Sequence, residues 1–340
     1  MTEKENLLMT LRGEIPEWLP RYGIVADPNS KHPPAVLDVT PSLTRGTRGT
    51  GAGGFDIWGV EFVATESTGG QALPVPNKYL ITDITKWRDV IHAPSLEGVD
   101  WEAMARKDLA NIDRTQTAVK LGTHVGYFQN LMNFMGFEEG MCAMMEEPEE
   151  CVALMDYLAN FYDEVTRKAC EYYKPDILGI TDDTATAINP FISVELYREM
   201  IKPFHARLGA IAQHYGIEFV DMHDCGRCED FIDDWLDFGV NMWNPAQVMN
   251  DLVGIKKKYA GRLTLIGCWD SSGPAGWTGA SEELVRSEVR RVIDTFAPNG
   301  NFCFWGSVYG PIDAEDTKNR ARWMTEEYDS YGRTWYKTHC

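Results

Sequence analysis

From about residue 120 onward, short apolar segments alternate with amphipathic ones, and each apolar segment runs out into polar or aromatic residues. Residues 177–180 lead into Thr181-Asp182-Asp183, and residues 217–222 lead into His223-Asp224-Cys225. Val240-Asn241-Met242-Trp243 ends at Asn244-Pro245, residues 263–267 end at Cys268-Trp269-Asp270, and residues 301–305 form the last such run. Helical patterns fill the gaps. Pro148 opens a long one with Cys151, Met155, Leu158, Tyr162, Val165 and Ala169 on one face. Others begin near Val194, cover 231–238 and 250–259, carry Leu284, Val285, Val289, Val292, Ile293 and Phe296, and start near Thr317. Apolar strands alternating with helices mean parallel strands joined by crossover helices.

The count of about eight strands predicts an α/β fold, a (β/α)8 TIM barrel with an N-terminal helical and loop extension. The chain 1–340 reads as one barrel domain. Residues 1–60 are the extension: a short amphipathic helix ending at Gly13, a turn through Pro16 and Pro20, and a Gly-rich loop over 44–54 that is either a lid or a plain connection. Residues 55–62 resume as a strand, residues 125–128 read as a strand end, and regular βα units fill 120–340. No Gly-rich phosphate fingerprint follows an early strand, which removes the main reason to prefer an open nucleotide-binding sheet. In a barrel the strand C-terminal ends share one face, so the polar residues above converge there.

With 32 Lys and Arg against 51 Asp and Glu, the net charge is −19. Such a chain repels phosphate backbones and anionic lipid, so neither nucleic acid nor membrane is an expected partner. The N-terminus shows no basic region followed by an apolar core, and no run of about 18 apolar residues occurs. The eight cysteines are too sparse for a disulfide scaffold and read as reduced thiols of a cytoplasmic protein.

His223 and Cys225 lie two apart, so in extended chain both side chains point the same way and reach one ion. Imidazole and thiolate suit zinc, with a third ligand from another strand tip, Cys268 or Cys303. Asp182 and Asp183 follow directly on an apolar strand; two adjacent carboxylates repel, so one can hold a proton and serve as a general acid. Asp270, at an equivalent tip, is placed to orient His223 or to bind substrate. Trp58, Trp243, Trp269 and Trp305, with Asn244, fall at or near strand ends and suit a flat ligand. For each tryptophan taken alone, core packing is the competing reading.

The opening residues 3–13, the His-x-Cys-Gly at 223–226, the block 239–247, residues 263–270 and Gly300-Asn301-Phe302 together resemble the uroporphyrinogen decarboxylase-like superfamily. The resemblance runs over nearly the whole chain and implies a (β/α)8 barrel. The Arg-Gln-Ala-Gly-Arg segment with which true decarboxylases grip a porphyrinogen has no match here, so the resemblance points to the corrinoid-dependent methyltransferase branch. It implies zinc held by His223, Cys225 and a later Cys, for which Cys303 is the candidate; Ser307 stands where alignment on Gly306 would put that Cys. It also implies O-demethylation of aromatic methyl ethers in anaerobic metabolism. Asp182 or Asp183 is then the acid, the methyl donor is a small molecule, and cobalamin is carried by a separate corrinoid protein. A homodimer is compatible with this. The alternatives are a metal-dependent decarboxylase or lyase on a small acid, and an inert barrel acting as a binding subunit.

Overall fold

The computed structural model describes residues 1–23, 26–47, 53–65, 72–123, 126–311 and 313–339. Helix α1 (Glu3–Leu11) leads to strand β1 (Val36–Val39). A small antiparallel sheet follows, made of β2 (Gly54–Phe55), β3 (Glu61–Ala64) and β4 (Ala72–Pro74), and then α2 (Trp101–Asp108). The regular part comprises β5 (Ala118–Gly122), α3 (Tyr127–Met135), α4 (Phe137–Glu146), α5 (Pro148–Tyr173), β6 (Ile177–Thr181), α6 (Val194–Met200), α7 (Lys202–His214) and β7 (Phe219–His223). It continues through α8 (Ile232–Asp237), β8 (Met242–Ala246), α9 (Leu252–Lys258), β9 (Thr264–Cys268), α10 (Glu282–Phe296), β10 (Phe302–Trp305), α11 (Glu315–Ser330) and α12 (Trp335–His339). Among the described residues, no helix is long and apolar enough to cross a membrane.

Local chemistry sets the helix ends. Pro148 sits in the first turn of α5, where its missing N–H costs nothing, and Lys174 closes that helix in the left-handed region (φ 47) just before Pro175. Ser193, Asp251 and Ser281 cap α6, α9 and α10 by accepting the N–H of Leu196, Gly254 and Leu284. In α10, Val285, Val289, Val292, Ile293 and Phe296 are buried, whereas Leu284 is exposed at the first turn.

The main sheet has seven strands, all parallel, in the order β1-β5-β6-β7-β8-β9-β10. The predicted eighth strand is not among the described residues. Beyond β10 there is instead a one-residue parallel bridge between Arg21 and Phe304, with the Tyr22 N–H on the Phe304 carbonyl and the Phe304 N–H on the Pro20 carbonyl. Pro20 has no N–H to extend this ladder. The sheet is nonetheless curled. Tyr22 lies outside one edge strand and Lys120 is one strand in from the other edge, yet the Tyr22 hydroxyl and Lys120 Nζ are 2.9 Å apart.

The curl's interior is layered by the period of two. Val36, Ala118, Ile177, Phe219, Met242, Ile266 and Cys303 form an apolar floor against Leu7 and Leu11 of α1. Two residues on, the same inward row reads Asp38, Lys120, Gly179, Asp221, Asn244 and Trp305, while β9 breaks the alternation at Gly267 (φ 111) and Cys268 (φ 56), and Cys268 packs in the other core. The floor is oil; the next layer is charged.

Several boundaries differ from those predicted. β1 lies in the N-terminal extension, where no strand is predicted before residue 55: Val36-Leu37-Asp38-Val39 is a short strand framed by Pro34 and Pro41. Residues 55–62 are two strands, because Asp56 accepts the N–H of Trp58 and of Val60 and turns the chain back at Gly59 (φ 93). β5 stops at Gly122, so Tyr127 and Phe128 already belong to α3, while Val125 lies outside the described residues, as do 48–52 of the Gly-rich loop. β8 runs on through Asn244 and the cis-linked Pro245 to Ala246.

Gly179 leaves the room that Lys120 occupies: a Cβ there would sit 2.9 Å from Lys120 Cε and 3.3 Å from the Leu121 carbonyl oxygen. The Gly179→Ala protein is expected to lose about 1–3 kcal/mol of stability, read from the midpoint of denaturant unfolding. An unchanged midpoint would mean that Lys120 is free to move.

Candidate functional site

The charged layer is built on one carboxylate oxygen. Asp221 Oδ2 receives Lys120 Nζ at 2.8 Å, the Tyr22 hydroxyl at 2.7 Å and the Asn244 amide nitrogen at 2.5 Å. Lys120 also reaches Asp38 at 3.1 Å. Burial alone would lower the Lys120 pKa, but Asp221 and then Asp38 outweigh it and hold the ammonium charged, above its ordinary value. Burial, followed by Asp221, pushes the Tyr22 phenol up, so it stays a neutral donor. Burial also raises Asp38.

This layer sets the state of the histidine one step higher on β7. Asn244 commits its Nδ2 to Asp221, an acceptor, so its Oδ1 faces His223 Nδ1 at 2.8 Å. An amide oxygen only accepts, hence Nδ1 carries a proton, and in the neutral ring the lone pair is on Nε2. Nε2 lies 3.8 Å from Cys225 Sγ, and together with a carboxylate oxygen of Asp183 these atoms fall within 4.8 Å of one another. Asp183 is held by the Cys225 N–H on one oxygen and by Gln129 Nε2 on the other, both at 3.1 Å.

Burial raises the Asp183 pKa, against the opposing pull of His223 and the Cys225 N–H. Burial and then the Asp183 charge push the Cys225 thiol up. Two acids that resist ionising in each other's company, beside an imidazole lone pair, form the kind of donor set that a divalent cation relieves. One nitrogen, one sulfur and one oxygen suit zinc and leave a fourth position.

The other predicted residues are placed as follows. Asp182 is fully buried and caps α3 from outside: its oxygens accept the N–H of Phe128 and Gln129, and His205 Nε2 lies 3.3 Å away. Cys303 is fully buried in the apolar floor, and Cys268 is fully buried in the other core; neither joins the Asp183–His223–Cys225 group. Asp270 turns into its own loop and accepts the Ser272 N–H. Trp243 is buried, packs on Trp235 and donates to the Asp224 carbonyl. Trp269 packs edge-on to Phe304 and donates to the Ser307 carbonyl. Trp305, edge-on to Tyr22, lines a cavity of about 630 Å³ with Arg21, Tyr22 and Ser307. Trp58 lines another, smaller cavity and donates to the Tyr162 hydroxyl.

Lys120, Asp221, Tyr22, Asp38 and Gln129 were not singled out from the sequence. Their signal was present: Lys120 between Val119 and Leu121, and Asp221 between Val220 and Met222, are charges inside apolar strands.

A parallel α/β sheet with ionisable residues at one end of its strands is the frame of a barrel-type enzyme. The sequence matches the uroporphyrinogen decarboxylase (URO-D) family model over residues 90–304, and the chain belongs to that family. Among solved structures, a methyltransferase from Methanosarcina mazei shares its fold, with a TM-score of 0.61 at 12% identity, covering 97% of this chain and 99% of that one. No curated protein matches the sequence.

A carboxyl whose folded pKa exceeds its unfolded value costs stability as pH rises from the unfolded value to the folded one, about 1.4 kcal/mol for each pH unit between them. Asp183 is such a group. In metal-free protein, Asp183→Asn is expected to gain stability relative to wild type as pH rises above about 4. Denaturant unfolding between pH 4 and 8 checks this, and a difference that does not vary with pH would contradict it.

Proposed function

We propose that this chain is a methyltransferase that moves a methyl group from a small methylated donor, an aromatic methyl ether, to the cobalamin of a separate corrinoid protein. The observation that carries the reading is the Asp183–His223–Cys225 group, with its imidazole lone pair turned toward a thiol and a carboxyl. Membership of the URO-D family and a fold shared with a protein named as a methyltransferase support it. The scaffold in this reading is a (β/α)8 barrel whose eighth position is taken by residues 20–22 beside β10.

Asp183, His223 and Cys225 would hold zinc, which supplies Lewis acidity to the oxygen that the methyl group leaves. The chain's own residues do the rest. Asn244 fixes the direction of His223, and Gln129 and the Cys225 N–H fix that of Asp183. Cys225 gives up its thiol proton as it becomes a ligand. The cytoplasm, where such a thiol stays reduced, is the proposed site of action.

A second reading rests on the raised pKa of Asp183 alone: without a metal, its carboxylic acid is a proton donor to the departing phenolate. Metal content separates the two. Freshly purified protein is expected to hold about one zinc per chain, lost in Cys225→Ala and in Asp183→Ala. Wild type, given a methoxylated aromatic compound and a reduced corrinoid protein, is expected to convert the corrinoid's absorption spectrum to that of the methylated form. An unmethylated corrinoid with every such donor contradicts the proposal. Carbon dioxide released from a small acid without corrinoid identifies a decarboxylase instead.

A further inference from the structure

Two of the three candidate ligands come from one stretch of chain and the third does not. His223 ends β7 and Cys225 follows two residues on, whereas Asp183 belongs to the loop after β6. The ladder between β6 and β7 gives out at this point. Its last pair is Thr181 with His223, followed by the Asp182 N–H on the His223 carbonyl at 2.9 Å. Beyond it, the sheet no longer registers Asp183 against the other two.

Asp224 stands between the two ligands of β7 and is fully buried, whereas His223 and Cys225 are partly exposed. Its carboxyl takes Thr184, the residue after Asp183, at two atoms. The Thr184 N–H donates to Oδ1 at 2.9 Å, and the Thr184 hydroxyl donates to Oδ2 at 2.6 Å. Thr184 is fully buried as well. Two parallel hydrogen bonds to one residue fix its orientation along with its position, as a single bond does not.

Asp224 is anchored in turn to β8. Its N–H donates to the Asn244 carbonyl at 3.2 Å, and its own carbonyl receives the Trp243 indole N–H at 3.1 Å. The loops after β6 and β7 also lie close together. Gly226 (φ 93) has no side chain where a Cβ would meet the Ala185 carbonyl oxygen at 2.5 Å, and the Arg227 N–H reaches the Thr186 carbonyl at 2.7 Å.

We propose that Asp224 is a positioning residue of the candidate centre: by clasping Thr184 at two atoms, it holds Asp183 where a carboxylate oxygen meets His223 and Cys225. The proposal rests on reading those three residues as a metal centre. Asp224 and Thr184 are closed to solvent, so they act through Asp183 and not on a bound molecule. Residues that orient metal ligands typically change metal affinity by about tenfold to a hundredfold when removed.

Cobalt(II), titrated into metal-free protein, is the probe: its visible bands report the ligand set, and its near-ultraviolet band reports a bound thiolate. Wild type is expected to take up about one cobalt per chain. Asp224→Ala and Thr184→Val are each expected to weaken it by about tenfold or more, with the thiolate band kept and the visible bands altered. The double variant is expected to bind no more weakly than the poorer single one, because both changes open the same clasp. Thr184→Ser keeps the hydroxyl and is expected to bind as wild type does. Thr184→Val beside Thr184→Ser carries the test alone where Asp224→Ala does not fold. Full affinity in Thr184→Val, losses that add in the double variant, or Thr184→Ser as weak as Thr184→Val would each overturn the proposal. So would loss of the thiolate band, which marks collapse of the whole centre and not a displaced Asp183. A wild type that binds no cobalt removes the metal centre and the proposal with it, whereas full affinity in Thr184→Val removes the proposal alone.

Discussion

A lysine and an aspartate, both shut away from water, meet at 2.8 Å inside the curl of the sheet. Removing two charges from solvent is expensive, and such a pair holds only when its geometry is tight and its remaining hydrogen-bonding capacity is largely met. Asp221 Oδ2 gathers the ammonium of Lys120, the phenol of Tyr22 and the amide of Asn244. These three donors come from β5, from the segment beside β10 and from β8, while the acceptor is on β7. One oxygen therefore ties the two ends of a seven-stranded sheet across its interior. Gly179, with no side chain on the inward row of β6, is what lets Lys120 lie there.

The same oxygen reaches into the chemistry by way of an amide. Asn244 passes on no proton; it passes on direction. With its nitrogen bound to Asp221, its oxygen can only take a proton's hydrogen bond from His223. In the neutral imidazole the bare nitrogen is then the one on the side of Cys225. A carboxylate in place of Asn244 would fix the same tautomer and raise the basicity of the ring, whereas an apolar residue would let the ring choose either tautomer. Closure of the fold and presentation of the ligand atom are in this sense one arrangement.

Much of the frame was legible because it is periodic. The segments around 177–180, 217–222, 263–267 and 301–305 are apolar runs too short for helices, and the stretches between them carry buried stripes at spacings of three and four. β1 escaped notice because four residues between prolines carry too little pattern to stand out from a loop. The hairpin at 55–62 was hidden by an Asx turn, which depends on one side chain, Asp56, and leaves the hydrophobic pattern unbroken. At the site, the His-x-Cys spacing and the Asp182-Asp183 pair could be read directly. Which of the two carboxyls faces His223 could not, since Asp182 is claimed by the N-terminus of α3, more than fifty residues earlier in the chain. A third ligand, the second sulfur, was expected on β10; Cys303 instead lies with its strand's floor row, two residues below the layer of Trp305. Lys120 and Asp221 were the missed signal. A charge in the middle of an apolar strand is either an error of assignment or half of a buried pair, and two such strands in one chain argue for the pair.

The account turns on the protonation of a single ring, and nitrogen NMR of protein labelled at histidine reads it directly. Metal-free protein near pH 7.5, with His223→Gln used to identify the signal, is predicted to show His223 protonated on Nδ1 and unprotonated on Nε2. In Asn244→Leu that preference is predicted to weaken. A His223 ring protonated on Nε2 in wild type, or an Nδ1 tautomer that survives unchanged without Asn244, would contradict the account.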